Sequence, residues 1–356
     1  MRIGILTFHA AHNYGAVLQC YALQTFLLSK GNDVHVIDYR SPKLLDIYKC
    51  FRKERFLRKN PYYLVRNLLR EIFYYRMRKC RYNAFTEFIE NKLFLTPVDS
   101  IENDGFDVIF VGSDQIWNVR LTGGFDPYYW GDFKRPPYTK LVSYAASMQD
   151  IWPKEYNELI VNKLQNFQEL SVRETSLARR LHELSGLMVH QVVDPTLLLS
   201  RAYWEELSVK PCVPDHYLLL YQVDNNKKNV EIAKQLASKY SLAVVYLSAE
   251  VDEKNTLAVS GSSPAEFVGL FRYADFVICS SFHGTVFSLI FEKKFYSVRT
   301  DKNKNARVES LLSQLDLQDR FISEYSERDD SYVLDYSKFS SMLSTSLNYI
   351  DQICQI

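Results

Sequence analysis

Two hydrophobic periods alternate along this chain. Short unbroken apolar runs rich in valine, isoleucine, phenylalanine and tyrosine are separated by longer stretches in which apolar residues recur every three or four positions. The first pattern predicts buried strands, and the second predicts helices packed on them. Residues 3–8 read as a strand, 16–30 as a helix closed by Gly31, and 34–38 as a second strand, a βαβ unit with a right-handed crossover. Further strands are predicted at 106–111, 141–145, 170–172 and 192–193. Pro211 and Pro214 then punctuate a stretch poor in apolar residues, which reads as a linker. Beyond it the alternation restarts, with strands at 217–221 and 243–247, helices at 229–240 and 265–273, and a last strand at 295–298. Helical spacing over 337–353 predicts a terminal helix that packs back on the body. The fold class is therefore α/β, with two Rossmann-like domains facing across a cleft: residues 1–210, residues 211–336, and a C-terminal helix at 337–356.

The most informative stretch is 275–291. An apolar strand breaks at Ser280 and Ser281, delivers His283 beside Gly284, and restarts as an apolar helix. That is how an α/β domain presents a side chain at the carboxyl edge of its sheet. A hydrogen-bonded structural histidine is the alternative. Against it, Gly284 permits close backbone approach and the helix start offers N–H groups to an anion.

Composition narrows the class. Across 356 residues, 47% are apolar and 24% charged, which is the make-up of a globular protein rather than a disordered one, and the length suits two domains. The first residues run directly into the strand–helix–strand pattern, so they read as a strand and not a signal peptide, and no apolar run reaches membrane-spanning length. Cys20, Cys50, Cys80, Cys212, Cys279 and Cys354 are scattered without zinc-like spacing, so free thiols in a reducing cytoplasm are expected and no metal site.

A net charge of +1 conceals a strongly basic segment, the insertion at about 45–90. Between Lys49 and Arg81 it carries Arg52, Arg55, Arg58, Arg66, Arg70, Arg76 and Arg78 among others, interleaved with Phe56, Leu57 and the helically spaced Leu64, Leu68, Leu69, Ile72 and Phe73. Two readings stay open: a helix lying on an anionic membrane surface, or an insertion packed on the first domain. Nucleic acid is not expected, since no recognition motif accompanies the charge.

Other strand ends carry polar residues. After the first strand come His9, His12, Asn13 and Tyr14, where Asn13 and the helix amides could hold an anion or sugar hydroxyls. A metal at the two histidines lacks further ligands. Asp114 in Gly112-Ser113-Asp114-Gln115-Ile116-Trp117-Asn118 is either a helix cap or a general base, and Arg173 beside Glu174 is either a surface ion pair or an anion contact.

Taken together, Asn13-Tyr14-Gly15-Ala16-Val17-Leu18-Gln19, the Gly112–Asn118 stretch, Ser143-Tyr144-Ala145-Ala146-Ser147, Val172-Arg173-Glu174, Val193-Asp194-Pro195-Thr196 and Ser280-Ser281-Phe282-His283-Gly284 resemble the polysaccharide pyruvyltransferases over nearly the whole length. The resemblance implies a GT-B-like fold and transfer of a pyruvyl group from phosphoenolpyruvate, as donor substrate and with no cofactor, to two hydroxyls of a hexose. The product is a cyclic ketal in a capsule or cell-envelope polysaccharide precursor, expected to be polyprenyl-diphosphate-linked and met at the inner face of the cytoplasmic membrane. It implies His283 as acid and Asp114 as base. Donor contacts are expected from Arg173, Arg307, Ser281, Gly284 and Lys293 in the second half. Acceptor contacts are expected from His9, His12, Asn13, Tyr14, Gln115 and Trp117 in the first. Many members carry arginine where this chain has Ser281, and Arg307, just before a helix, is the expected replacement. A sugar-nucleotide-dependent GT-B glycosyltransferase and a non-catalytic glycan-binding relative remain the alternatives.

Overall fold

Strand β1 (Arg2–Leu6) lies at the centre of a wholly parallel sheet, between β2 (Asp33–Ile37) and β4 (Val108–Val111), with β3 (Leu95–Thr96) and β5 (Lys140–Ser143) at the edges. The computed structural model describes residues 1–48, 61–148, 152–223, 226–248, 259, 261–300 and 302–355. A parallel pair, β6 (Ser171–Val172) and β7 (His190–Gln191), prolongs this sheet through the bridges Val142–Glu169 and Ala146–Val172. The second sheet has the order β12 (Phe321–Ile322), β11 (Lys294–Val298), β10 (Phe276–Cys279), β8 (Tyr217–Gln222), β9 (Ala243–Ser248), again all parallel. β4, β8 and β10 are buried at every residue because helices cover both faces, which explains their unbroken apolar runs. The two Rossmann-like units form the expected α/β, GT-B-like arrangement.

The helix Tyr14–Ser29 is apolar on nearly every side because it lies between the two units. Tyr14 stacks on Phe267 of the second unit at 4.3 Å, and its hydroxyl donates to the Ser262 carbonyl at 2.9 Å. The last helix, Tyr336–Cys354, returns to the first unit. There Ser346 Oγ accepts from Val193 N at 2.8 Å and Tyr349 OH donates to Ser143 O at 2.8 Å.

Several elements have no counterpart in the sequence reading. Among them are the two-residue edge strands β3 and β12, too short to show a period, and the short helices Asn157–Leu164, Thr175–Ser185 and Arg201–Leu207. The insertion is a helix, Pro61–Lys92, and divides the two readings along its length. Toward its end Arg81, Phe85, Phe88 and Ile89 are buried, whereas Val65, Leu68, Ile72 and Phe73 are exposed. Phe56 and Leu57 lie outside the described residues, as do the side chains of Leu64, Leu69, Arg66 and Arg70.

Candidate functional site

The carboxyl ends of both sheets meet around Asp194. This residue follows β7 and caps the short turn Pro195–Leu197, its Oδ1 accepting from Thr196 N at 3.0 Å and Thr196 Oγ1 at 2.6 Å. Its Oδ2 accepts from Arg173 Nη1 at 2.5 Å and Ser113 Oγ at 3.4 Å, and lies 3.5 Å from His283 Nε2. Burial alone would raise the Asp194 carboxyl, but His283, Arg173 and Thr196 outweigh it and hold the group well below the usual carboxylate range.

Arg173 follows β6 and is buried beside Glu174, whose Oε1 accepts from Ser147 Oγ at 2.5 Å. The surface ion pair that the sequence allowed is therefore not present. With Nη1 on Asp194 and Nη2 3.6 Å from Asp114 Oδ1, Arg173 keeps two buried donors, Nε and Nη2, without hydrogen-bond partners among the described residues. Unmade donors on a fixed guanidinium can receive an anion's oxygen. Asp114 follows β4, in the left-handed region at φ 68°, and its side chain remains 15% exposed while that of Asp194 is fully buried.

From the second unit, β10 ends at Cys279 and the helix Phe282–Ile290 begins, capped by Ser281 Oγ, which accepts from Gly284 N at 2.9 Å. His283 stands on the first turn with its side chain 10% exposed. The Arg173 and Arg307 guanidiniums lie over the Phe282 ring at 4.9 and 6.0 Å. Arg307 sits inside the helix Lys302–Gln314 and not before it, as the sequence suggested. Burial and the neighbouring Arg173 pull its pKa below the ordinary guanidinium value, and among the described residues no carboxylate lies within ion-pair distance of it. Two arginines, one imidazole and three carboxylates thus converge where the units touch.

Other expected contacts are placed elsewhere. Lys293 lies beyond the far end of the His283 helix, where burial, Arg201 and Arg272 lower its pKa. A nine-residue helix is about 13 Å long, so Lys293 is out of donor reach. His9 is fully buried, Nε2 on Asp38 at 2.9 Å and Nδ1 3.3 Å from Thr7 O. Trp117 is likewise buried, stacked on Trp130 and donating to Tyr129 O at 2.8 Å, and Tyr14 is spent on the contact between units. Asn13 Oδ1 takes the Gly15 and Ala16 amides that were read as an anion cradle, and Gln115 Oε1 accepts from Asn118 Nδ2 at 2.8 Å. Gly284 serves close packing, since a Cβ there would meet Cys279 Cβ at 2.8 Å. Among the described residues no group of three potential ligands is placed to hold a metal.

His12 remains half-buried against Tyr82 and Phe85, with ring centroids 4.4 and 5.4 Å away. Burial, then Arg81 and Arg40, lower its pKa from 6.5 to about 4. Between those values the folded chain binds fewer protons than the unfolded one, so the stability concerned is full above 6.5 and is lost as pH falls toward 4. His12→Gln should therefore flatten this dependence, narrowing the stability lost between about pH 7 and about pH 5 by about 2 kcal/mol. Urea midpoints at the two pH values check it; an unchanged difference would remove His12 as the cause.

Sequence reasoning missed Asp194, Ser113 and the buried role of Glu174. Asp194 carried a signal, an acidic residue closing an apolar run ahead of Pro195 and Thr196, but that pattern equally marks a turn cap, and Asp194 is one.

With this geometry established, comparison with known proteins places the chain. No curated protein matches it. Among solved structures, the UDP-GlcNAc 2-epimerase of Methanocaldococcus jannaschii aligns over 98% of this chain and 93% of its own, with 13% identity and a TM-score of 0.46. The UDP-GlcNAc 2-epimerase of Neisseria meningitidis, bound to UDP-GlcNAc, aligns over 99% and 93%, with 11% identity and a TM-score of 0.48. The glycosyltransferase SsfS6 of Streptomyces sp. SF2575 aligns over 98% and 96%, with 14% identity and a TM-score of 0.38. The family model for polysaccharide pyruvyl transferase matches residues 13–302, a span that takes in Asp114, Arg173, Asp194 and His283, and the chain belongs to that family.

Proposed function

We propose that this protein transfers the pyruvyl group of phosphoenolpyruvate to two hydroxyls of a hexose in a surface-polysaccharide precursor, forming a cyclic ketal and releasing phosphate. The observation that carries the proposal is the meeting of His283 with two guanidiniums that retain binding capacity, Arg173 through its unmade Nε and Nη2 donors and Arg307 because no carboxylate among the described residues lies within ion-pair distance of it. Phosphoenolpyruvate is a small polyanion, and guanidinium forks suit both its carboxylate and its phosphate.

The chemistry then needs one acid and one base. His283 gives a proton to C3, making the methyl group, while C2 becomes electrophilic and bonds to the first sugar oxygen. Asp114, the most accessible of the three carboxylates, takes that hydroxyl's proton. The second hydroxyl bonds to C2 as the C2–O bond to phosphate breaks, and its proton leaves with the phosphate. One hydroxyl proton thus replaces the one delivered to C3. Thermal melting with phosphoenolpyruvate or UDP, followed by mass spectrometry of hexose-containing acceptors, tests this. Stabilisation by phosphoenolpyruvate and a ketal product are expected; stabilisation by UDP alone would favour sugar-nucleotide chemistry instead.

A polyprenyl-diphosphate-linked acceptor would lie at the inner face of the cytoplasmic membrane, and the helix Pro61–Lys92 supports docking there. Val65, Leu68, Ile72 and Lys79 recur at helical spacing along one exposed stripe, with Phe73 and Arg76 beside it. No described helix is long and apolar enough to cross a membrane, so the contact proposed is shallow and reversible. Each cation near an anionic bilayer contributes about 1 kcal/mol, which salt screens. Co-sedimentation with anionic vesicles should fall at high salt and in the Ile72→Ser/Phe73→Ser/Arg76→Gln/Lys79→Gln variant. Equal, negligible sedimentation of both proteins would refute docking while leaving the chemistry untouched.

A further inference from the structure

We propose that Asp194 and Gly15, both from the first unit, are positioning residues for His283 of the second, so that the imidazole is aimed only where the two units meet. The inference deepens the pyruvyl-transfer reading and rests on it for the meaning of His283.

The two contacts act on opposite edges of the ring. A Cβ built on Gly15 would lie 2.0 Å from His283 Nδ1, 2.4 Å from Cε1 and 2.5 Å from Cγ, so the imidazole rests against bare backbone and no other residue type leaves it room. On the other edge, Nε2 is 3.5 Å from Asp194 Oδ2 and makes no hydrogen bond among the described residues. At that separation the carboxylate stabilises an imidazolium by Coulomb attraction without holding its N–H in a settled bond. The proton stays available for transfer. Asp194 cannot drift toward the ring, because Thr196, Ser113 and Arg173 hold both of its oxygens. The other charged groups of the cluster, Asp114, Glu174 and Arg307, face Arg173. Asp194 itself neither gains nor loses a proton: His283 passes one to the donor's C3 and recovers one from solvent or a hydroxyl.

A residue that acts only through His283 should matter only while His283 is present, and double-mutant cycles read that directly. The experiment compares the native chain, Asp194→Asn, Gly15→Ala, His283→Ala and the two double variants by phosphate release from phosphoenolpyruvate and by melting temperature. Asp194→Asn is expected to lower kcat about tenfold or more with the KM for phosphoenolpyruvate changed less than about threefold, and to change the residual rate of His283→Ala by less than about twofold. Gly15→Ala should lower both kcat and melting temperature, and the thermal loss should vanish in the His283→Ala background, where the added methyl group fills vacated space. The proposal is overturned if Asp194→Asn costs the same factor in both backgrounds or if Gly15→Ala keeps native kcat. Should Asp194→Asn fail to fold, the Gly15 arm decides. If the native chain releases no phosphate, the pyruvyl-transfer reading fails, while the melting cycle of Gly15 and His283 still tests the packing.

Discussion

His283→Ala is expected to cut pyruvyl transfer by about a hundredfold or more while leaving phosphoenolpyruvate binding in place, the usual scale for losing a positioned general acid. Donor affinity should survive because the imidazole faces Asp194 and Gly15, whereas the anion-binding capacity lies on Arg173 and Arg307. The fold should survive as well, since the helix cap is made by Ser281 and Gly284 and does not involve the ring. Isothermal titration with phosphoenolpyruvate beside single-turnover assays separates the two effects. Near-native turnover in the variant would remove His283 from the chemistry.

The arginines should part company when each is removed. Arg307 has no carboxylate to leave behind among the described residues, so Arg307→Ala should weaken donor binding by about 2 kcal/mol, roughly thirtyfold, with little change in stability. Arg173 is different. Removing it deprives Asp194, fully buried and charged, of its arginine counter-charge, so Arg173→Ala should cost stability of the order of 3–5 kcal/mol as well as donor affinity. Urea denaturation and donor titration on both variants check the contrast. Ser281→Arg on the Arg307→Ala background tests whether a cation at the helix start restores binding, against the loss of the Ser281 cap. If Arg307→Ala binds the donor normally, Arg307 does not stand in for the cation missing at position 281.

The sequence made the architecture legible because its physics is periodic. β1, the following helix and β2 are an apolar run, a longer apolar segment closed by Gly31 and another run, and β10 with the His283 helix repeats the strand-then-helix motif. Boundaries drifted by a residue or two, as with the first helix, which starts at Tyr14 once Asn13 caps it. His283, Asp114 and Arg173 could be singled out because each follows a buried strand. Asp194 could not, because its importance comes from Arg173, Ser113 and His283, brought to it by three other loops and invisible in its own neighbourhood. The same limit misled in the other direction for Trp117 and Tyr14: a polar or aromatic residue near a strand end looks identical in sequence whether it faces a ligand or the next helix.

The return of the final helix to the first unit has a mechanical consequence. The chain passes between the units twice, once ahead of β8 and once between Asp330, bonded to Tyr296 in the second unit, and Ser346, bonded to Val193 in the first. Two chain crossings limit the relative rotation of the units more than one would, and so favour the register in which His283 rests against Gly15. A chain cut between the last strand and the last helix would keep both sheets and lose this guidance.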